Sequence, residues 1–213
     1  MKKSKTPFFL TGGTALSRYY FNHRFSDDLD LFVNDDLDYS KHVKTILSLL
    51  KDSDSQSHLT VDLKDITLGD TYTRLVIHDK NDPNLELQID LINDIAPHYG
   101  NFESDSTLGK VDNWRNILSN KLTALFRSEP KDVVDIWIIA KNKKFKWEQI
   151  VMEAKSKEVG VEPETLYDIL KSFPINDIDS IKWNQKPVKA KMESDLGIIS
   201  DDILFARANP LWV

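Results

Sequence analysis

At 213 residues, 40% apolar and 29% charged, the chain has the composition of a folded soluble protein, long enough for one sizeable core or two small ones. It contains no cysteine, which excludes a disulfide framework, a thiolate nucleophile and a cysteine-ligated metal. The formal charge of −6 is unevenly divided, with 11 Lys/Arg against 18 Asp/Glu in residues 1–107 and 17 against 16 in residues 108–213. An overall negative balance argues against strong non-specific binding to nucleic acid. The N-terminal MKKSKT runs into only a few apolar residues before Thr11-Gly12-Gly13, so no secretory leader is expected. No apolar run approaches the ~20 residues that cross a bilayer. The expectation is a cytoplasmic protein without a membrane partner.

In chain order, Phe8–Leu10 reads as the end of a strand, and Thr14–Phe21 as a two-turn helix after the glycine pair. Leu29–Val33 is a strand, and Asn34-Asp35-Asp36 is the turn after it. Asp38 is a fitting N-cap for a helix through Leu50, whose apolar stripe is Val43, Ile46, Leu47 and Leu50. Three strands follow at Leu59–Ile66, Thr71–Ile77 and Leu85–Ile92. Leu68-Gly69-Asp70 marks a hairpin turn between the first two, and Asn81-Asp82-Pro83-Asn84 separates the last two.

From about Val111 the pattern becomes helical. Helices are expected over Asn113–Phe126, Pro130–Ala140 (with proline at the first helical position), Trp147–Glu158 and Pro163–Leu170. The remainder, punctuated by Pro174, Pro187 and Pro210, carries no clear pattern. The expected fold class is α/β (α+β), a mixed or antiparallel sheet with flanking helices in residues 1–107 followed by a helical unit in residues 108–213. Gly100 and Gly109 lie at the boundary, and there is no internal repeat.

The most informative stretch is residues 11–32, TGGTALSRYYFNHRFSDDLDLF. Gly12 and Gly13 allow the backbone to turn tightly beside a ligand, and Thr14 and Ser17 offer hydroxyls at the start of the helix. By itself the pair is weak evidence and more often an ordinary strand-to-helix turn, and neither a P-loop nor a dinucleotide fingerprint is present. Asp28 and Asp30 are two apart, so a strand points both carboxylates to one face, with Leu29 and Leu31 on the other. Two such carboxylates call for a cation between them, and Mg²⁺ carrying a nucleotide's phosphates suits the charge. Asp27 is out of phase with the pair.

Asp90 lies in LELQIDLI, where Leu85, Leu87, Ile89 and Leu91 share one face and Gln88 and Asp90 the other. A carboxylate in so apolar a strand is charged only when paired or metal-bound. Beside the Asp28/Asp30 strand it would complete a set of three for metal ligation and for activating an attacking hydroxyl. Arg24 and Ser26 lie just before the acidic pair, and Lys121 and Arg127 lie on NWRNILSNKLTALFR, where they can meet phosphate. Asp135 sits among Val133, Val134, Ile136, Trp137, Ile138 and Ile139, so its carboxylate needs a partner, and Lys121 or Arg127 can supply it. That pairing is as readily structural as functional. His23 is near the motif, whereas His42, His58, His78 and His98 lack ligand spacing. Lysine clusters at 141, 143, 144 and 146 and at 182, 186, 189 and 191 either guide a phosphate-rich acceptor or solvate helical surfaces.

LTGGTALSRYYFNHRFSDDLDLF resembles the signature of the nucleotidyltransferase-like AbiEii/AbiGii toxin family, within the polymerase-beta-type nucleotidyltransferase superfamily. QIDLI is similar to its third-carboxylate strand, and NKLTALFRSEPKDVVDIWII to its lysine/arginine helix and K-D-x-x-D helix, so the likeness spans roughly residues 8–140. Family members usually carry helices ahead of the Gly-Gly strand, where this sequence has about seven residues. The resemblance implies a minimal nucleotidyltransferase sheet with a helical domain completing the active-site cleft. Asp28, Asp30 and Asp90 would bind Mg²⁺ (or Mn²⁺) and an NTP, with Asp90 as ligand or base. Lys121 would touch phosphates, and Asp135 would orient Lys121 or the substrate. It further implies the toxin of a toxin–antitoxin or phage-defence system with a cognate antitoxin, transferring a nucleoside monophosphate to RNA such as tRNA. The residues also admit a small-molecule or protein hydroxyl as acceptor, or a catalytically inactive binding protein that needs a partner.

Overall fold

The computed structural model describes residues 5–54, 58–61, 65–82 and 84–212. The chain divides into two compact units: residues 1–15, 26–96 and 102–112 in the first, and residues 16–25, 97–101 and 113–213 in the second.

The first unit is a mixed sheet. Its strands are β1 (Phe9–Thr11), β2 (Asp28–Asn34), β3 (Leu59–Val61), β4 (Thr67–Leu68), β5 (Tyr72–Asp79), β6 (Glu86–Asp94), β7 (Glu103–Asp105) and β8 (Gly109–Val111). The order is β3-β5-β6-β2-β1-β8-β7, with β4 paired to β5. Strands β2 and β6 are parallel, and their register sets Asp28 opposite Gln88 and Asp30 opposite Asp90. On the other side of β6, antiparallel β5 sets Arg74 opposite Asp90. Because strand side chains alternate, Asp28, Asp30, Gln88, Asp90, Tyr72 and Arg74 share one face. Leu31, Leu75, Ile89 and Leu91 are buried on the other.

That apolar face belongs to the core under α2 (Tyr39–Asp54), which also buries Val43 and Ile46. Tyr39 fixes the helix start from within: its hydroxyl donates to the Leu91 carbonyl (2.8 Å) and lies 3.1 Å from Thr73 Oγ1. The Phe8 ring meets the Tyr39 ring edge-on at 6.1 Å. Between β4 and β5 the turn falls at Gly69, as the Leu68-Gly69-Asp70 signal predicts. The strand expected over Leu59–Ile66 is seen as β3, and residues 62–64 of that segment lie outside the described residues.

The second unit is helical. It takes up Leu16–Phe21, a π-helical continuation of α1 (Gly12–Ala15), and then α3 (Trp114–Ala124), α4 (Pro130–Asn142), α5 (Trp147–Lys157), α6 (Pro163–Lys171) and α7 (Lys189–Leu204). Asn113 caps α3 by accepting from the Arg115 and Asn116 amides, and Pro130 opens α4. Asn209 closes α4, donating from its side-chain amide to the carbonyls of Ala140 (2.7 Å) and Lys143 (2.8 Å). Helix α7 packs through Met192, Leu196, Ile199 and Ile203, one buried stripe at helical spacing. Among the described residues, no helix is long and apolar enough to cross a membrane.

Candidate active site

The polar face of β2 and β6 gathers the three carboxylates singled out in the sequence. Asp28 and Asp30 are half-buried and point the same way from β2, while Asp90 is buried at 8% exposure. Gly12 adopts φ +66°, and a Cβ placed there would stand 2.5 Å from Asp30 Oδ2. The glycine is therefore required twice, for the left-handed backbone and for the space the carboxylate fills. Gly13 and Thr14 are buried, and the Thr14 hydroxyl contacts Ser26 Oγ at 2.8 Å and the Asp28 carbonyl. The turn that opens α1 is thus tied to the first residue of β2, which explains how a Gly-Gly-Thr segment holds the D-x-D strand in place.

Asp90 is held by Gln88, its same-face neighbour in the strand, and by Arg74 and Tyr72, which the sequence did not single out. Arg74 makes a bidentate pair, Nε to Oδ1 at 2.8 Å and Nη2 to Oδ2 at 2.9 Å. The Tyr72 hydroxyl donates to Oδ1 at 3.1 Å, and the Gln88 amide to Oδ2 at 3.3 Å. Hydrogen bonding to Asp90 raises the Arg74 pKa further above its ordinary value, and burial beside Asp90 raises that of Tyr72. The guanidinium also sits 5.6 Å from the Tyr72 ring centre. Among the described residues, no group of three or more His, Asp or Glu side chains is arranged to hold a metal ion. Asp28 and Asp30 nevertheless fit Mg²⁺: they are hard oxygen donors on one face, and this ion characteristically takes one or two carboxylates together with phosphate and water.

The other charged residues singled out in the sequence meet inside the second unit. Asp135 is fully buried, and four donors fill its carboxylate. His23 Nε2 (2.9 Å) and Arg24 Nε (2.8 Å) reach Oδ1, while Arg24 Nη2 (2.8 Å) and Lys121 Nζ (2.7 Å) reach Oδ2. Lys121 also donates to Asp132 Oδ1 at 2.7 Å, and Arg127 reaches Asp132 Oδ2 at 2.8 Å. Burial works against the Asp135 charge, but Lys121, His23 and Arg24 outweigh it and hold the carboxyl well below the usual range. Burial likewise opposes the Lys121 charge, and Asp135 and Asp132 outweigh it and raise its pKa.

The expected pairing of Asp135 with Lys121 is therefore present, whereas Arg127 pairs with Asp132 and extends an exposed guanidinium. Arg24 is committed to Asp135 and to the Phe25 carbonyl (3.0 Å), and Ser17 is buried. Asp132 and His23 join the network without having been assigned to it from the sequence. Asp132 had a signal, since it lies three residues before Asp135 on the same face of α4. His23 had none beyond its nearness to the motif.

A mixed sheet that presents D-x-D beside a glycine turn, with a third carboxylate on the neighbouring parallel strand, defines a nucleotidyltransferase-type core. The chain belongs to the nucleotidyl transferase AbiEii toxin family of type IV toxin–antitoxin systems, whose sequence profile matches residues 2–196. Its fold is similar to JHP933 from Helicobacter pylori, with a TM-score of 0.61 at 20% identity, covering 95% of this chain and 85% of that one. It is also similar to MenT4, a nucleotidyltransferase toxin from Mycobacterium tuberculosis, with a TM-score of 0.54 at 15% identity, covering 93% of this chain and 75% of that one. No curated protein matches the chain.

Proposed function

We propose that this protein is a Mg²⁺-dependent nucleotidyltransferase that moves a nucleoside monophosphate from an NTP to an acceptor hydroxyl on RNA, tRNA being the first candidate. Membership in a toxin–antitoxin family implies a nucleotide substrate and an antitoxin partner. The observation that carries the reading is the pairing of Asp28 and Asp30 on one face of β2 with the Gly12 turn packed against Asp30. Asp28 and Asp30 would hold Mg²⁺ (or Mn²⁺), which when bound neutralises the triphosphate and polarises the α-phosphorus.

The backbone of Gly12 and Gly13 gives phosphate oxygens close approach, with Thr14 and Ser26 fixing that turn. The acceptor oxygen forms a bond to the α-phosphorus as the bond to pyrophosphate breaks, and the hydroxyl proton passes to a base or to water. Asp90 stands beside Asp30 as an arginine-paired carboxylate of the same face. Lys121 and Asp135, with Asp132, Arg24 and Arg127, are assigned to positioning within the helical unit, because their charges are committed to one another.

The test is transfer of label from each of four α-³²P-labelled NTPs to total cellular RNA with Mg²⁺, beside the Asp28→Asn/Asp30→Asn double variant. Label in RNA that the double variant loses supports the reading and names the preferred base. Label that persists in the double variant overturns the metal assignment. Label that appears only on protein or small molecules overturns the RNA acceptor.

A further inference from the structure

The carboxylate of Asp90 has about four acceptor positions, two on each oxygen. All four are taken: Oδ1 by Arg74 Nε and the Tyr72 hydroxyl, and Oδ2 by Arg74 Nη2 and Gln88 Nε2. No lone pair is left for a metal unless a donor leaves. Arg74 contributes two of the four bonds and the only formal positive charge among these donors. Its side chain is 43% exposed against 11% for Asp90, so the arginine covers the carboxylate from the solvent side.

The pair has a structural side, because Asp90 is buried and its carboxylate needs a charged partner. Its placement is more informative. Arg74 lies opposite Asp90 in β5, and Asp90 lies opposite Asp30 in β2. Arg74 thus sits two strands from the Asp28/Asp30 pair, with Asp90 between them, on the same sheet face, and interacts electrostatically with Asp28. A cationic side chain is therefore already bound to the carboxylate that a second metal ion would need.

We infer, resting on the Mg²⁺-dependent reading above, that Arg74 is a resident cation that takes the place of a second divalent ion, so that the site loads one ion on Asp28 and Asp30. Arg74 is then a positioning residue that sets metal stoichiometry. Its charge remains on the face when the nucleotide is absent, where a bound Mg²⁺ would dissociate. Tyr72 and Gln88 orient the pair from either side, so the arginine and Asp90 stay in register.

The experiment is Mn²⁺ titration followed by electron paramagnetic resonance on the intact protein, its Arg74→Ala, Arg74→Gln and Arg74→Lys variants, and Arg74→Ala/Asp90→Asn. Far-UV circular dichroism checks each variant's fold. The expected result is one Mn²⁺ on the wild type, lost in Asp28→Asn/Asp30→Asn. Removing the arginine charge by Ala or Gln should raise uptake, by a second ion or by about tenfold in affinity. The gain should vanish in Arg74→Ala/Asp90→Asn and be absent in Arg74→Lys. Two ions on the wild type, or unchanged number and affinity in the Ala and Gln variants, would overturn the inference while leaving the metal reading intact. No Mn²⁺ on the wild type or on the Arg74 variants would overturn the metal reading itself, and the inference with it.

Discussion

Asp135→Asn is the most diagnostic single change for the helical unit. The substitution keeps the shape and removes the charge, but an amide turns one end of the group into a donor. Four donors converge on this carboxylate: His23 Nε2, Arg24 Nε, Arg24 Nη2 and Lys121 Nζ. An NH₂ at either oxygen position would therefore face cations in a fully buried setting. Breaking one side of a buried ion network costs about 3–5 kcal/mol. For a chain of this size that corresponds to a fall in Tm of roughly 6–20 °C.

All five tryptophans, Trp114, Trp137, Trp147, Trp183 and Trp212, lie in the unit that holds the network, so urea denaturation followed by tryptophan fluorescence reads that unit directly. Adding Lys121→Met to Asp135→Asn removes one of the stranded cations and should cost less than the two single changes together. A loss below about 1 kcal/mol for Asp135→Asn, with full additivity in the double variant, would refute the claim that the network is a coupled buried unit.

The pH dependence of stability follows from the same network. The folded pKa of Asp135 lies below its unfolded value of about 3.9, so its contribution is complete above that pH and is lost as pH falls toward the depressed folded value. The raised Lys121 pKa acts in the opposite sense, its contribution being complete below about 10.4 and lost as pH rises through the folded value. Unfolding free energies of wild type and Asp135→Asn should thus converge below about pH 4, and a constant gap down to pH 2 would contradict the assignment. Gly12→Ala places a methyl group against Asp30 at a left-handed position, costing about 1–2 kcal/mol of backbone strain. It should lower the transfer rate roughly 100-fold by displacing the carboxylate; an unchanged rate would show that Asp30 is not held by that turn. Tyr39→Phe removes a buried hydroxyl that serves the Leu91 carbonyl and Thr73. Its cost should be about 1–1.5 kcal/mol, read by circular dichroism melting.

Wherever periodicity and punctuation agree, the elements were legible in the sequence. Strict alternation through LELQIDLI marks β6, Pro130 marks the first residue of α4, and Asn113 marks the cap of α3. The short hairpin of β7 and β8 carries no strand signal in the sequence, because three-residue strands of ESD and GKV offer too little alternation to register. Its turn is built instead by Asp105, whose side chain accepts from the amides of Thr107 and Leu108. Helix α7 is masked in the sequence although Met192, Leu196, Ile199 and Ile203 carry a helical stripe, since Pro187 before it and Gly197 within it signal interruption. The π-helical winding of Leu16–Phe21 is a matter of hydrogen-bond register, which residue type does not encode.

The carboxylates were visible, and apart from Lys121 their charged partners were not, for a single physical reason. An acidic residue on an apolar strand or helix announces a desolvation problem from its own neighbours in sequence, so Asp90 and Asp135 stand out without a structure. The solution lies on another element: Arg74 reaches Asp90 through the register of β5 on β6, and Arg24 reaches Asp135 across 111 residues of chain. Both solutions have the same form, a bidentate arginine with two further donors filling all four acceptor positions. They differ in exposure, and that difference separates their roles. Arg24 and Lys121 are buried with Asp135, so their ion pairs cannot open without exposing a charge to the core, and the network is structural in its energetics. The Arg74 side chain is 43% exposed on the face that carries Asp28 and Asp30, so solvent reaches the arginine while Asp90 behind it stays buried. Of the two saturated carboxylates, Asp90 is therefore the one whose arginine shares a solvent-reachable face with Asp28 and Asp30.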